Sequence, residues 1–304
     1  MQTRWGTLAA TMLAVTAGAN AGNTIHVPLD QPGIQAGIDA ASNGDTVLVA
    51  PGLYVENINF RGKAITVISE QGGGATIIDG GGRDTVATFA SGEGLSSVLS
   101  GFTLQNGLST FSTPSFGDGG GVSIRNTSPT IQNNLIWNNR ACNGIGIHIS
   151  FGSPLIQGNT ITTNTRTGCS GGIGGAGLAI NGPTTAQILN NVITHNSLFG
   201  GGGGGLSLFG AGAPTIRGNI ISQNSVDGVS PCASGGGITI GGQSDAVIVN
   251  NLITSNSAWM WRRDLLAVDS KRVARPLCYK QHHRGKYGRR IQRSGIRSVR
   301  GRFR

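Results

Sequence analysis

The sequence predicts an all-β chain: a solenoid of stacked parallel coils with three short strands to a coil, closed at its N-terminal end by a short helix. Two observations lead there. The first is a phrase repeated five times between Pro129 and Asn256: apolar, two spacers, Asn, one spacer, apolar, two spacers, Asn. Its first apolar residues are Ile131, Ile156, Ile188, Ile216 and Ile248, and its second are Ile136, Ile161, Ile193, Ile221 and Ile253. The first asparagines are Asn134, Asn159, Asn191, Asn219 and Asn251; the second are Asn139, Asn164, Asn196, Asn224 and Asn256. Offsets inside the phrase never change, while copies lie 25, 32, 28 and 32 residues apart, so the unit is rigid and its linkers vary. The second observation is a glycine-rich phrase before each copy that ends in alternating apolar residues. It runs over 119–124, 144–149, 174–180, 202–208 and 235–240.

Self-similarity at 20–50 residues marks stacked units. Each unit supplies three short strands: the glycine-rich one and one at each Ile. Such strands are too short for a stable sheet alone, but a coil stacked on like coils buries a continuous core. Parallel stacking sets equivalent residues about 4.8 Å apart. Ile then stacks on Ile inside, and Asn on Asn at the corners. The Asn amide both donates and accepts, so the ten asparagines form a structural ladder, and they tolerate the left-handed geometry of a corner. The alternative, a ligand-binding row, remains. The glycines are read as turn formers with positive φ, and no strand–GxxxxGK–helix context makes them a phosphate loop.

The elements follow in order. Residues 1–21 read as a secretory signal peptide: Arg4 gives the positive start, Leu8–Val15 the apolar core, and Ala19-Asn20-Ala21 a cleavage site. The apolar run is too short to span a bilayer. Residues 22–45 form an entry, with a strand at Ile25–Val27 and a helix over Gln31–Ala41. Asp30 caps that helix, Pro32 fits its first turn, and Asn43-Gly44 ends it. An open coil end exposes its core and strand edges, so this helix is expected to act as a lid. Residues 46–258 form the solenoid. Its irregular first part carries strands at Thr46–Ala50, Asn57–Phe60, Ala64–Ser69, Thr76–Asp79, Val86–Phe89 and Val98–Leu104.

Residues 259–304 form a basic tail. The solenoid and leader carry 8 Lys+Arg and 11 Asp+Glu, net −3; the tail carries 15 and 2, net +13. The basic balance belongs to the tail alone, so no nucleic acid is expected as a partner of the body. Both repeat phrases vanish there. Trp259-Met260-Trp261 is encoded only by TGG ATG TGG, which read one base later begins Gly-Cys-Gly. The shifted frame also allows apolar, Asn, apolar, Asn at 278, 281, 283 and 286, the spacing of the repeat. The tail is therefore expected to be a frameshift product that is disordered when translated. The alternative is a basic arm for nucleic acid or anionic surfaces.

An exported chain permits disulfides. Cys142 and Cys169 follow Asn139 and Asn164 in equivalent loops of adjacent coils, a separation that suits a bridge, and they are expected to pair; two free thiols are the alternative.

The coils, with Gly101-Phe102-Thr103 and strands such as Gly235-Gly236-Gly237-Ile238, resemble the right-handed parallel β-helix repeat proteins of the pectin-lyase-like class. The leader Ile34-Gln35-Ala36-Gly37-Ile38-Asp39-Ala40-Ala41, followed by Gly44-Asp45-Thr46-Val47 and Pro51-Gly52-Leu53-Tyr54-Val55-Glu56-Asn57-Ile58, is similar to the N-terminal entry of such helices. The resemblance covers residues 24–258 and implies a right-handed coil and carbohydrate-directed chemistry. The paired-Asp signature of a pectin esterase and the Asn-Thr-Asp and Gly-His-Gly motifs of a polygalacturonase are not seen.

Residues 119–226 contain no Asp or Glu, while glycoside hydrolysis normally needs two facing carboxylates and calcium-assisted chemistry several. His26, His148 and His195 have no paired spacing for a metal. His148 alternates with Ile147 and Ile149 and is read as an outward, solvated strand residue; Asp79, Asp84 and Asp118 are read as turn residues. No catalytic, metal or cofactor residue is assigned. The expectation is an exported non-catalytic scaffold at the cell surface or in contact with a glycan. The alternative is a polysaccharide lyase, hydrolase or esterase whose catalytic coils lie outside this chain.

Overall fold

The computed structural model describes residues 22–113, 117–166, 174–227 and 235–258. The leader, Cys169, Cys232 and the basic tail lie outside the described residues. Within them the chain winds through seven rungs or more of parallel strands. A first sheet of nine strands runs from Thr24–Val27 to Val247–Val249, and a second of eight runs from Gly52–Val55 to Leu252–Thr254. A third sheet of seven runs from Ile58–Asn59 to Ile238–Gly241 and contains the glycine-rich strands. Every strand pairs in parallel with its equivalent in the next coil, Ile131 against Ile156, then Ile188, Ile216 and Ile248. These side chains fill one continuous interior with Ile136, Ile161 and their equivalents.

The expected three strands per coil are present, and a fourth, shorter sheet accompanies them. Its strands, Arg140–Ala141, Thr165–Arg166, Ser197–Phe199, Ser225–Asp227 and Ser257–Ala258, follow the second ladder asparagine of each coil. It encloses a small apolar cluster of its own: Ala141, Ile145, Ala176, Leu198 and Val226.

The asparagine ladder is continuous. In one row Asn134 donates through backbone N and Nδ2 to Asn159 Oδ1, at 3.0 and 3.2 Å, and Asn159 does the same to Asn191, then Asn219 and Asn251. The second row repeats this from Asn139 to Asn256. Each row starts on a plain backbone amide, Phe102 N–H on Asn134 Oδ1 and Gly107 N–H on Asn139 Oδ1. The left-handed residue, however, is the one before each ladder member: Asn133, Asn138, Gly158, Thr163, Asn190, His195, Gly218, Gln223, Asn250 and Ser255. The corner thus needs a positive φ first and an inward amide second.

The helix is shorter than expected, Ile34–Ala40, and it buries Ile34, Gly37 and Ile38 over the first rung. Asp30 does not cap it; the Asp30 carboxylate accepts from His26 N–H at 2.7 Å. Glu56, one strand later, accepts from Ile34 N–H and Gln35 N–H at 2.9 and 2.8 Å. Lys63 Nζ reaches the other end and donates to the carbonyls of Ile38, Asp39 and Ala41 at 2.7 Å each. Opposite charges therefore sit at the two ends in the sense that the backbone dipoles favour. The predicted strand over Val98–Leu104 is two, Val98–Ser100 and Thr103–Gln105, parted at Gly101 with φ +80.

Candidate functional site

Parallel register turns every strand position into a row along the solenoid. On the outer face of the second sheet one row reads Val55, Asp79, Gln105, Trp137, Thr162, Thr194, Ser222 and Thr254. Four of the last five are small hydroxyl residues; Trp137 stands out, with 38% of its surface exposed. The corner beside this row carries Asn106 and Asn138, both left-handed.

These residues join in a chain of hydrogen bonds. Asn138 Nδ2 donates to Asn106 Oδ1 at 2.8 Å, and Asn106 Nδ2 donates to Asp79 Oδ2 at 2.6 Å. Gln105 Nε2 donates to the same oxygen at 2.8 Å, and Gly81 N–H to Asp79 Oδ1 at 2.8 Å. Partial burial pushes the Asp79 carboxyl up, but the bonds from Gln105, Gly81 and Asn106 outweigh it and hold the group below the ordinary Asp range. Asp79, Asn106, Asn138, Leu108, Arg140 and the Gly81-Gly82 turn line an open cleft of about 300 Å³. Gly81 and Gly82 both have positive φ, which lets the turn fold flat at the cleft edge.

A second polar group lies on the outer face of the third sheet. His148 faces away from the apolar interior, as its alternation with Ile147 and Ile149 requires, but it is not solvated: only 2% of it is exposed. The cause is the turn before each glycine-rich strand, which folds back over that strand. A Cβ on Gly144 would lie 2.7 Å from His148 Cα, so only a glycine backbone comes so close. The equivalent positions on neighbouring rungs hold Ser123, Ala179, Ser207 and Thr239. His148 Nε2 lies 2.9 Å from Asn181 Nδ2 and 3.8 Å from Asp118 Oδ1, which itself accepts from Asn143 Nδ2 at 3.0 Å. Burial holds the imidazole below the ordinary His range; Asp118 opposes this and Arg125 adds to it.

The sequence expectations sort accordingly. Asp79 does make the turn bond expected of it, and it is also the polar centre of the cleft. Asp118 is the buried histidine's neighbour. His195 is an exposed left-handed corner residue. Arg140 reaches the cleft, whereas Arg166 is turned to the carbonyls of Phe199 and Gly200 at 2.9 and 3.1 Å. Cys142 is buried and disulfide-bonded, and the Cys169 expected as its partner lies outside the described residues. Among the described residues no three His, Cys, Asp or Glu side chains gather as a metal-binding group. No helix among them is long and apolar enough to cross a membrane. Sequence reasoning did not bring Asn106, Asn138 and Arg140 together as cleft residues, nor set Trp137 beside them. The available signal was Trp137, an aromatic at an outward strand position in a row otherwise rich in Thr and Ser.

No curated protein and no solved structure matches the chain. One family does: residues 120–260 match the right handed beta helix region, which is the regular part of the coil stack. With that match and three parallel sheets wound about one apolar interior, the chain folds as a right-handed parallel β-helix.

Proposed function

We propose that the protein is an exported, non-catalytic β-helix scaffold that contacts carbohydrate at the outer face of the second sheet. The observation that carries this reading is Trp137 standing in the same outward row as Gln105 and Asp79, beside the Asn106–Asn138 pair and the Arg140 cleft. A sugar ring presents a C–H face and a rim of hydroxyls. An indole offers an apolar face for the first, and preoriented amide and carboxylate groups serve the second. All of these sit on rigid rungs, so little side-chain freedom is lost on binding. Among the described residues that line the cleft Asp79 is the one carboxylate, and three hydrogen bonds already occupy it, which suits a contact residue better than an acid or base. Export rests on the leader read in residues 1–21.

The test is a glycan array followed by titration of the best ligand. Trp137→Ala and Asp79→Ala should each weaken binding by about tenfold, the size of one lost stacking or charge-assisted contact. Because the Asp79 carboxyl lies below its ordinary value of 3.8, it remains ionised throughout the neutral and mildly acid range. Affinity should therefore be flat from about pH 8 to pH 5 and fall only as pH drops below about 4. An array without a single bound glycan, or a Trp137→Ala variant with unchanged affinity, removes the proposal.

A further inference from the structure

We propose that His148 is an acid-sensitive latch: its protonation releases the turns at Asp118–Gly121 and Cys142–Ile145 from the outer face of the third sheet. Three features of the geometry support this. First, the imidazole is covered: only 2% of the residue reaches solvent, and the turn comes so close that a Cβ on Gly144 would lie 2.7 and 2.8 Å from His148 Cα and Cβ. Second, it has poor means of holding a proton there. His148 Nδ1 and the neighbouring Ser123 Oγ are both buried without a hydrogen-bond partner. The charged groups that face the ring are Arg125, which opposes an imidazolium, and Asp118. Asp118 Oδ1 is 3.8 Å from His148 Nε2 and already accepts from Asn143. The polar neighbours on the adjoining strands are Ser123 and Asn181, and neither carries charge.

Third, the groups that would move are tied to this ring and to each other. Asn143 bonds Asp118 through its side chain, and Gly119 N–H donates to Asn143 O at 3.0 Å. The two turns therefore form one unit over the histidine, with the disulfide-bonded Cys142 beside Asn143. A proton on His148 is solvated once the turns lift and stranded while they stay down.

The direction of the effect follows. The closed state binds the proton more weakly than the open state, whose value is the ordinary 6.5. Closure is thus fully stable above about pH 6.5. Below it, the opening equilibrium should rise by about fivefold over the first pH unit and approach tenfold per unit after that, until the pH reaches the closed-state value.

Hydrogen exchange on the full chain, corrected for intrinsic rates, measures this directly at the amides of Gly119 and Ile145. From pH 6.5 to 5.5 their protection should fall by about fivefold, while that of Ile156 in the first sheet holds. His148→Ser, a residue the same row already holds at Ser123 and Ser207, should abolish the slope. Nuclear magnetic resonance titration of the unmodified protein is the second measurement, and the His148 imidazole should titrate below 6.5. The proposal is overturned by protection that does not change with pH, by an equal loss at Ile156, by a slope that survives in His148→Ser, or by a His148 titration at or above 6.5.

Discussion

Replacing Asn191 by Ala should destabilise the protein by about 4 kcal/mol, while replacing its exposed neighbour Asn190 by Gly should cost nothing measurable. The two residues share a letter and have opposite tasks. Asn191 Oδ1 accepts from Asn159 N–H and Nδ2 at 2.9 and 3.1 Å, and its Nδ2 donates to Ile156 O and Asn219 Oδ1 at 2.9 and 3.0 Å. Alanine leaves the Asn159 amide and the Ile156 carbonyl without these partners in a corner that water does not reach, at about 1–3 kcal/mol for each buried group. Asn191→Asp should fare no better: a carboxylate can accept but has no hydrogen for Ile156 O, and its charge would be buried. Asn190, by contrast, serves its left-handed φ of 54, which glycine adopts freely. Chemical denaturation of the three variants gives the comparison. An Asn191→Ala loss below about 1 kcal/mol would mean the ladder is decoration rather than support.

Gly177→Ala should cost about 3 kcal/mol, for a reason unrelated to turn geometry. A Cβ there would lie 2.5 Å from Gly205 O, 2.6 Å from Ile193 Cγ2 and 3.1 Å from Asn196 Nδ2. Gly121, Gly146, Gly205 and Gly237 face the same three kinds of neighbour, a backbone atom or carbonyl, an interior Ile and a ladder amide, or two of the three. This glycine is the floor on which the next coil rests, and a methyl would part the rungs. Gly94 is the control: a Cβ there meets nothing within 4 Å and its φ is not positive, so Gly94→Ala should be neutral or slightly stabilising. Equal melting temperatures for Gly177→Ala and Gly94→Ala would contradict the close-packing account.

These two cases show what was legible in the sequence. The invariant offsets of the Asn phrase give the register, because a ladder tolerates no change inside a unit. The same letters do not tell which of two adjacent residues carries the positive φ, and the corner assignment is off by one: Asn190 turns the chain and Asn191 bonds. Alternation along Ile147-His148-Ile149 correctly turns His148 away from the interior. It cannot tell that the Gly144 turn covers the outer side as well, since that cover depends on how the chain re-enters the sheet. The helix cap was misplaced for a similar reason: Asp30 is near in sequence, but Glu56 arrives from the next strand. The cleft was least legible. Asp79 and Arg140 belong to different coils, and only the rung-by-rung register of the second sheet brings them beside Asn106 and Trp137.

The central claim is that this cleft holds a glycan and leaves it intact. Nuclear magnetic resonance can follow both in one tube: the Trp137 indole signal of the protein and the anomeric signals of an array-selected oligosaccharide. The account predicts a saturable shift of the Trp137 indole, with a midpoint about tenfold higher in Asp79→Ala, and no new reducing-end or unsaturated sugar signals after prolonged incubation. A product signal would contradict the scaffold reading, and an indole that never shifts would contradict the site.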